Sequence, residues 1–581
     1  MIAILTQRMN QKLQNIISIF VPIFLIVGTI SVYFFAKGYR IDLVSREIEQ
    51  TGVISVATSP RRAALLLDGK TIGQTPKTIG SLRPETHTIS IEKPGYHSWE
   101  TVINVHPEHL IPLTVQLFLL KPTTEPIFSH MSIETCPDIT EENETSDTIS
   151  EVTMESTIEG FYSDTDGNVA LYTHIYASQS CEDNTVSPRT LQIWAYPVKR
   201  QFWERNTNTR LIAEFTSTLL GPAFEHETPQ ISLTFSPDGR HALIHTIFQD
   251  YSRYFSINTA EQNSQIHQLD SLEESGIIKP QWSMDSLHLI YSKNSELRTI
   301  NSQTYSVSVI TELPDENVPP LFWTTNLSGE IYFSSQHPEY MSITRSNPDG
   351  SNQTNIFTVI RTADSTATST IPEDIPPEEI IEIPLMEIGT VHALFFDPTE
   401  ELLFLFSQNA ITSYSLINTA IRSYPARNPE LISISPLKQS FIYLDDDGQT
   451  LREFWFNPVS TDILHPIGPK TLLSFDPQYT YSSFRWHPKG TNVLYAKYYT
   501  PDTGHLENIT ADNDTHNSGT SIGNSAGNSA TGMTIETVDT ESLQVLDLVT
   551  LEAIAPFSVD TSGTSVVTLC NPTEICLIRI K

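Results

Sequence analysis

The chain opens with an unbroken apolar run and then alternates between apolar and polar positions almost to its end. Ile16 to Ala36 holds no charged residue. At 1.5 Å per residue the run spans roughly 30 Å, the hydrocarbon thickness of a bilayer. It is longer than the core of a signal peptide, and no small-x-small cleavage site follows it. The pattern therefore predicts an uncleaved transmembrane helix at 16–36, a cytoplasmic tail at 1–15 and a stalk at 37–50. Arg8 and Lys12 precede the run, and Lys37, Arg40 and Arg46 follow it, so flanking charge gives no vote on orientation. A cytoplasmic N-terminus with the bulk of the chain outside the cell membrane is expected from the domains and cysteines that follow.

From Thr51 the period becomes two. Val53–Thr58, Ala64–Leu67, His87–Glu92, Thr101–Val105 and Leu113–Leu119 read as strands. Ser59-Pro60, Asp68-Gly69, Gly73-Gln74-Thr75-Pro76 and Lys93-Pro94-Gly95-Tyr96 punctuate them as turns. A five- or six-stranded β-sandwich over 51–120 follows.

The residues Ser59-Pro60, Ala63, Asp68-Gly69, Gly73, Thr75-Pro76, Lys93 and Gly95-Tyr96 resemble the PEGA domain. Two positions depart from that pattern: Arg62 stands where the family has glycine, and Glu85 replaces the glycine after Pro84. The resemblance covers about one eighth of the chain. It implies an envelope module without catalysis and names no ligand.

After a Thr/Glu/Ser-rich linker at 121–157, a degenerate repeat runs to the C-terminus: a large apolar residue, a short Ser-Pro-Asp-Gly-like turn, then an apolar strand. The clearest copies start at Phe235, Trp282 and Trp486, and weaker ones at Phe161, Trp323, Phe396, Ile434 and Phe557. Neighbouring copies lie 38–74 residues apart. The short end equals one four-stranded blade of about 40–50 residues, and the long spacings hold insertions. The repeat resembles the WD40-like or TolB-type propeller repeat, which implies a β-propeller over 158–581 of seven or eight blades, eight favoured. The last copy lacks a full blade before Lys581, so a strand from 125–155 is predicted to complete it and close the ring. The segments 362–382 and 504–534, poor in apolar residues, read as disordered insertions.

Composition narrows the function classes. Thirty-four basic residues face 68 acidic ones, a net charge of −34 that repels phosphate and excludes nucleic acid as a partner. Of the four cysteines, Cys136 and Cys181 could pair across the start of the large domain. Cys570 and Cys576 bracket a tight turn that a disulfide fits. Four cysteines allow three connectivities, and four buried thiols stand as the alternative. No zinc-type Cys pair exists, and neither a metal nor a cofactor is expected.

Several short motifs carry no chemistry once their context is read. The G-x-S-x-G matches at 519–523 and 523–527 lack the strand and helix of a nucleophile elbow. Ser435 and Lys438, at S-x-x-K spacing, are the repeat's own turn. Asp164-Thr165-Asp166-Gly167-Asn168 and Asp445-Asp446-Asp447-Gly448 lack the closing glutamate of a calcium loop. His106, Glu108 and His109 miss the metalloprotease spacing and include Pro107. Asn508-Ile509-Thr510 is a glycosylation sequon that matters only in a host that uses it.

The expectation is a mainly β, single-pass protein of the cell envelope, with no catalytic residue assigned. It binds or scaffolds a protein or cell-wall glycan partner through the propeller. The competing reading is an envelope glycan lyase or hydrolase using the central pocket.

Overall fold

The computed structural model of the protein describes residues 21–29, 32, 39–41, 48–107, 109–129, 151–163, 169–180, 188–197, 209–272, 277–293, 296–312, 322–336, 340–362, 380–384, 391–397, 399–456, 468–499, 532–560, 562–571 and 574–581. Residues 21–29 are helical, with exposed apolar side chains such as Phe24 and Leu25. No helix among the described residues is long and apolar enough to cross a membrane. The rest of the 16–36 run lies outside them. In the segment read as a stalk, Tyr39–Ile41 pairs antiparallel with Ile48–Gln50. The chain forms two compact units, with the change at Leu120–Lys121.

Over 51–120 the first unit holds seven strands among the described residues, against the five or six that the alternation suggested. One sheet runs Lys77–Leu82, Gly52–Ser59, Leu110–Gln116, the last two parallel. The other runs Lys70–Gln74, Ala64–Leu67, Thr86–Glu92, Trp99–Asn104. Ile54, Val56 and Leu113 from one sheet and Leu65, Ile89 and Ile91 from the other share one core. Lys70–Gln74 and Lys77–Leu82 flank the Thr75-Pro76 step that the sequence showed only as a break. The signature residues hold this sandwich by hydrogen bonds. Thr75 Oγ1, buried, lies 2.5 Å from Thr58 Oγ1 and accepts from the Ala63 N–H at 3.1 Å. Lys93 Nζ donates to Arg61 O at 2.9 Å, tying the Lys-x-Gly-Tyr turn to the Ser-Pro loop. Arg62 has φ +62°, the left-handed region that glycine occupies without strain.

The second unit is a β-propeller built from eight sheets in chain order, each with four or five strands. Each copy of the sequence repeat contributes to a different sheet. The first sheet contains Glu151–Ser163, Val169–Ser180, Thr190–Pro197 and Arg210–Thr216. The second contains Gln230–Phe235, His241–Ile247, Ser252–Asn258 and His267–Gln268. The third contains Ile277–Trp282, His288–Lys293, Glu296–Asn301 and Val307–Glu312. The fourth runs from Trp323–Thr325 through Ile331–Gln336, Tyr340–Ser346 and Thr354–Thr362 to a parallel fifth strand, Ile380–Pro384. The fifth spans Val391–Phe396 to Ile421–Pro425, the sixth Glu430–Ile434 to Gly468–Ser474, and the seventh Tyr479–Trp486 to Val545–Leu551. The eighth joins Ser558–Val559, Ser565–Asn571 and Glu574–Arg579 to Thr123–Ser129, which pairs antiparallel with Glu574–Arg579. Arg579 and Glu125 add an ion pair at 3.0 Å to that seam.

Both faces of these sheets are apolar, so each sheet buries itself against its neighbours. Ile244 and Phe255 of the second sheet pack with Leu191 and Phe215 of the first. Phe404 of the fifth packs with Phe441 and Phe454 of the sixth. Tyr172 of the first packs with Val567 and Leu577 of the eighth.

One hairpin recurs in the second to eighth sheets. It opens at Ser236, Ser283, Asn326, Asp397, Ser435, His487 and Asp560. In each, the carbonyl of that residue accepts the N–H of the residue three on, at 2.8–3.1 Å. The side chain of the opening residue then caps the turn: Asp397 Oδ1 takes the Leu402 N–H, and Ser236 Oγ the His241 N–H. The fourth position has positive φ throughout, filled by Gly239, Gly329, Gly490 and Gly563 but also by Ser286, Glu400 and Lys438. Glycine here does more than permit the turn, because successive turns touch. A Cβ on Gly329 would stand 2.2 Å from Asp285 Oδ2, one on Gly490 2.7 Å from Leu437 Cγ, and one on Gly563 2.1 Å from His487 Nε2.

His487 closes this row of turns and is fully buried. Its Nε2 lies 3.1 Å from Gly563 O, and its Nδ1 accepts the Lys489 N–H at 3.2 Å. Both contacts suit the neutral Nε2–H tautomer, and burial pushes the pKa down to about 4.

Three outcomes are expected. Arg62→Gly should raise the stability of the first unit by about 1 kcal/mol, read as a higher unfolding midpoint, because it releases left-handed strain. Gly563→Ala should lower the stability of the second by on the order of 2 kcal/mol, since strain and a clash with His487 add. With its folded pKa below the unfolded value, His487 contributes fully above pH 6.5, and its contribution falls towards pH 4, by roughly 3 kcal/mol in all. Denaturant midpoints of the parent and of His487→Gln, compared from pH 7.5 to 4.5, should converge as pH falls. Parallel curves would refute this.

Candidate interaction surface

The residues singled out from sequence do not converge on one place. Cys570 and Cys576 form a disulfide across the hairpin that joins the last two strands, with Cα atoms 5.8 Å apart. Cys136 and Cys181, the G-x-S-x-G matches, the Asp164–Asn168 segment and the Asn508 sequon lie outside the described residues. So do 363–379 and 501–531, most of the two proposed insertions, while Ile380–Pro384 and Met533–Asp539 at their ends are strands. Ser435 and Lys438 share a turn, with the Lys438 N–H donating to Ser435 O at 2.8 Å. His109 Nδ1 lies 2.7 Å from Pro107 O. The Asp445–Asp447 carboxylates face arginines: Arg452 meets Asp445 at 2.9 Å, and Arg427 meets Asp447 at 3.0 Å. Among the described residues no three His, Cys, Asp or Glu side chains form a metal-holding group.

A buried tyrosine recurs at the second strand of several sheets, a pattern the sequence reading missed. The second strand carries a buried tyrosine opposite a charged residue of the third: Tyr291 faces Arg298, Tyr332 faces Arg345, and Tyr443 faces Arg452. In the seventh sheet Tyr495 donates to Glu536 Oε2 at 2.7 Å, and Lys497 Nζ donates to Oε1 at 2.9 Å. Burial pushes Tyr172 up to about 12 and raises Tyr443 and Tyr495 as well, which keeps these phenols protonated. Of these, Tyr495 ties its strand to that of Glu536. The alternation VALYTH, HLIYSK, FIYLD and VLYAK shows the tyrosine recurring at one place in the second strand.

The recurring turns make the more distinctive surface, because hydrogen bonds join them from sheet to sheet. The Asp238 N–H donates to Ser286 Oγ at 3.0 Å, the Met284 N–H to Thr325 Oγ1 at 2.7 Å, and the Leu327 N–H to Glu400 Oε1. The side chains raised above this row are apolar and exposed: Met284 at 42%, Leu327 at 55% and Leu437 at 52%. Acidic residues accompany them: Asp238 and Glu401 are exposed, and Glu330 and Glu400 are half-buried.

Beside this row a polar cleft of about 400 Å³ separates the third and fourth sheets. Thr299, Asn301, Ser306 and Ser308 line it from the outer strands of the third sheet, with His288. The hairpin Asn347-Pro348-Asp349 lines it from the fourth. Thr299 Oγ1 donates to Pro348 O at 2.8 Å, and Gln353 Nε2 to Ile310 O at 2.6 Å, so both walls are pinned. Asn301 Nδ2 lies 3.4 Å from His288 Nε2. Asp285 Oδ2 stands 3.6 Å from His288 Nδ1. Burial alone would raise the Asp285 pKa, but the His288, Ser283 and Leu287 contacts bring it below the usual carboxylate value. Asp349 is held below its usual value by the Ser351 hydroxyl and N–H, both bonded to Oδ1.

Residues 51–119 match the PEGA domain family. No curated protein sequence is significantly similar to the chain. Among solved structures, the WD40 domain of SCAP from fission yeast is similar at 9% identity over 79% of this chain and 98% of its own, with a TM-score of 0.37. An oligogalacturonate lyase from Vibrio parahaemolyticus is similar at 10% identity over 74% of this chain and 97% of its own, with a TM-score of 0.36. Likenesses this distant bear on neither activity nor ligand. The chain carries a PEGA domain at 51–119, followed by eight successive four- or five-stranded sheets arranged as a β-propeller.

Proposed function

We propose that this protein is a membrane-anchored, extracytoplasmic scaffold that binds a protein partner through the turn face of an eight-bladed propeller. The eight sheets are read as eight blades closed by Thr123–Ser129, and the uncharged run 16–36 as a single anchor with the N-terminus in the cytoplasm. The observation that carries the reading is the exposure of Met284 and Leu327 at the second position of neighbouring turns joined by hydrogen bonds, with Leu437 exposed at the third position of a further turn. Turn tips are ordinarily polar, and large exposed apolar groups gathered on one face mark interaction surfaces. A binding protein is preferred to a glycan lyase or hydrolase because large exposed apolar groups on turns suit a protein-docking surface.

The test is capture of partners from solubilised membranes on the full chain and on a Met284→Ser/Leu327→Ser/Leu437→Ser variant. A specific protein should be retained by the parent and reduced about tenfold or more by the variant, while the thermal midpoint stays within a few degrees. Equal retention by both chains would refute the turn-face reading.

A further inference from the structure

The cleft between the third and fourth sheets says more about the partner. Its lining consists of hydroxyls, amides, Pro348, the His288 imidazole and the Asp349 carboxylate, with no lysine, arginine, phenylalanine, tyrosine or tryptophan. Asp349 is fully exposed, and its Oδ1 serves Ser351 while Oδ2 is unengaged among the described residues. Five exposed apolar residues crowd the same two sheets: Met284, Leu287, Val307, Val309 and Leu327. The chain as a whole carries −34.

We propose that this cleft receives the arginine or lysine side chain of a partner protein, with apolar neighbours of that residue resting on Met284, Leu287 and Leu327. This rests on the turn-face reading above and specifies its partner. A guanidinium or ammonium group offers only donors, which the Asp349 carboxylate and the Asn347 and Ser308 oxygens can accept. The long aliphatic stem of either side chain matches a polar slot rimmed by apolar groups. The negative field of the chain draws a cationic partner in and repels an acidic one. A glycan would want an aromatic platform, which the lining lacks, and a metal would want more than one carboxylate.

The test uses full-length protein in detergent and three acetylated, amidated peptides, Ser-Leu-Arg-Leu-Ser and the same with glutamine or glutamate at the centre. The arginine peptide should bind about tenfold tighter than the glutamine peptide at low salt, and the glutamate peptide weakest. Asp349→Asn should cut the arginine preference severalfold, as should 0.5 M salt. Leu327→Ser should weaken all three peptides alike. Equal binding of the arginine and glutamine peptides, or a preference that survives Asp349→Asn, would overturn the basic-side-chain proposal. In that case sensitivity to Leu327→Ser alone would leave the turn-face reading standing. Competition by chito-oligosaccharide in place of the arginine peptide would also overturn it.

Discussion

A four-stranded antiparallel sheet with apolar residues on both faces cannot stand alone in water, and this requirement organises the second unit. Each sheet needs a neighbour on either side, and the only arrangement that leaves none uncovered is one in which the first meets the last. The packing of Tyr172 against Val567 and Leu577 supplies that meeting, with Trp194 stacked on the tyrosine at 6.4 Å. The aromatic density between the fifth and sixth sheets, where Phe404, Phe441 and Phe454 meet edge-on and stacked, follows from the same demand.

Apolar packing is non-directional, so it sets adjacency without fixing how one sheet slides on the next. The turns supply the missing direction. Trp282 Nε1 donates to Thr234 O at 3.2 Å and Trp486 Nε1 to Ser433 O at 3.4 Å, so the large residue before a turn is keyed to the first strand of the preceding sheet. The close approaches at Gly329, Gly490 and Gly563 add steric stops. A repeat can drift far in sequence as long as these keys survive, which explains why the eight copies share a turn more than a composition.

Much of this was legible in the chain. Alternation located the strands of the small domain, because period-two burial is written directly into Val53–Thr58 and His87–Glu92. Ser-Pro-Asp-Gly located the turns because proline and glycine restrict φ. Two strands beside Thr75 were not legible, since their mixed polar residues carry no clear alternation. Neither was the tyrosine–arginine opposition, which depends on register between strands and leaves no local mark. The cleft residues were missed for a similar reason: Asn301 and Asp349 are ordinary turn formers locally, and only the packing of two sheets places them on one cleft. Arg62 is the opposite case. Its departure from the family glycine is visible in sequence, and its left-handed φ shows what that departure costs.

The seam at Thr123–Ser129 has a temporal side. Thr123 pairs with Arg579, 456 residues further along the chain (579 − 123). The sequence of the seven other sheets lies between the strand that finishes the ring and its mate. Until the two meet, the array of sheets keeps two open β edges, and their contact carries a large loop-closure entropy. The Cys570–Cys576 bond sits on the hairpin whose second strand makes that pairing.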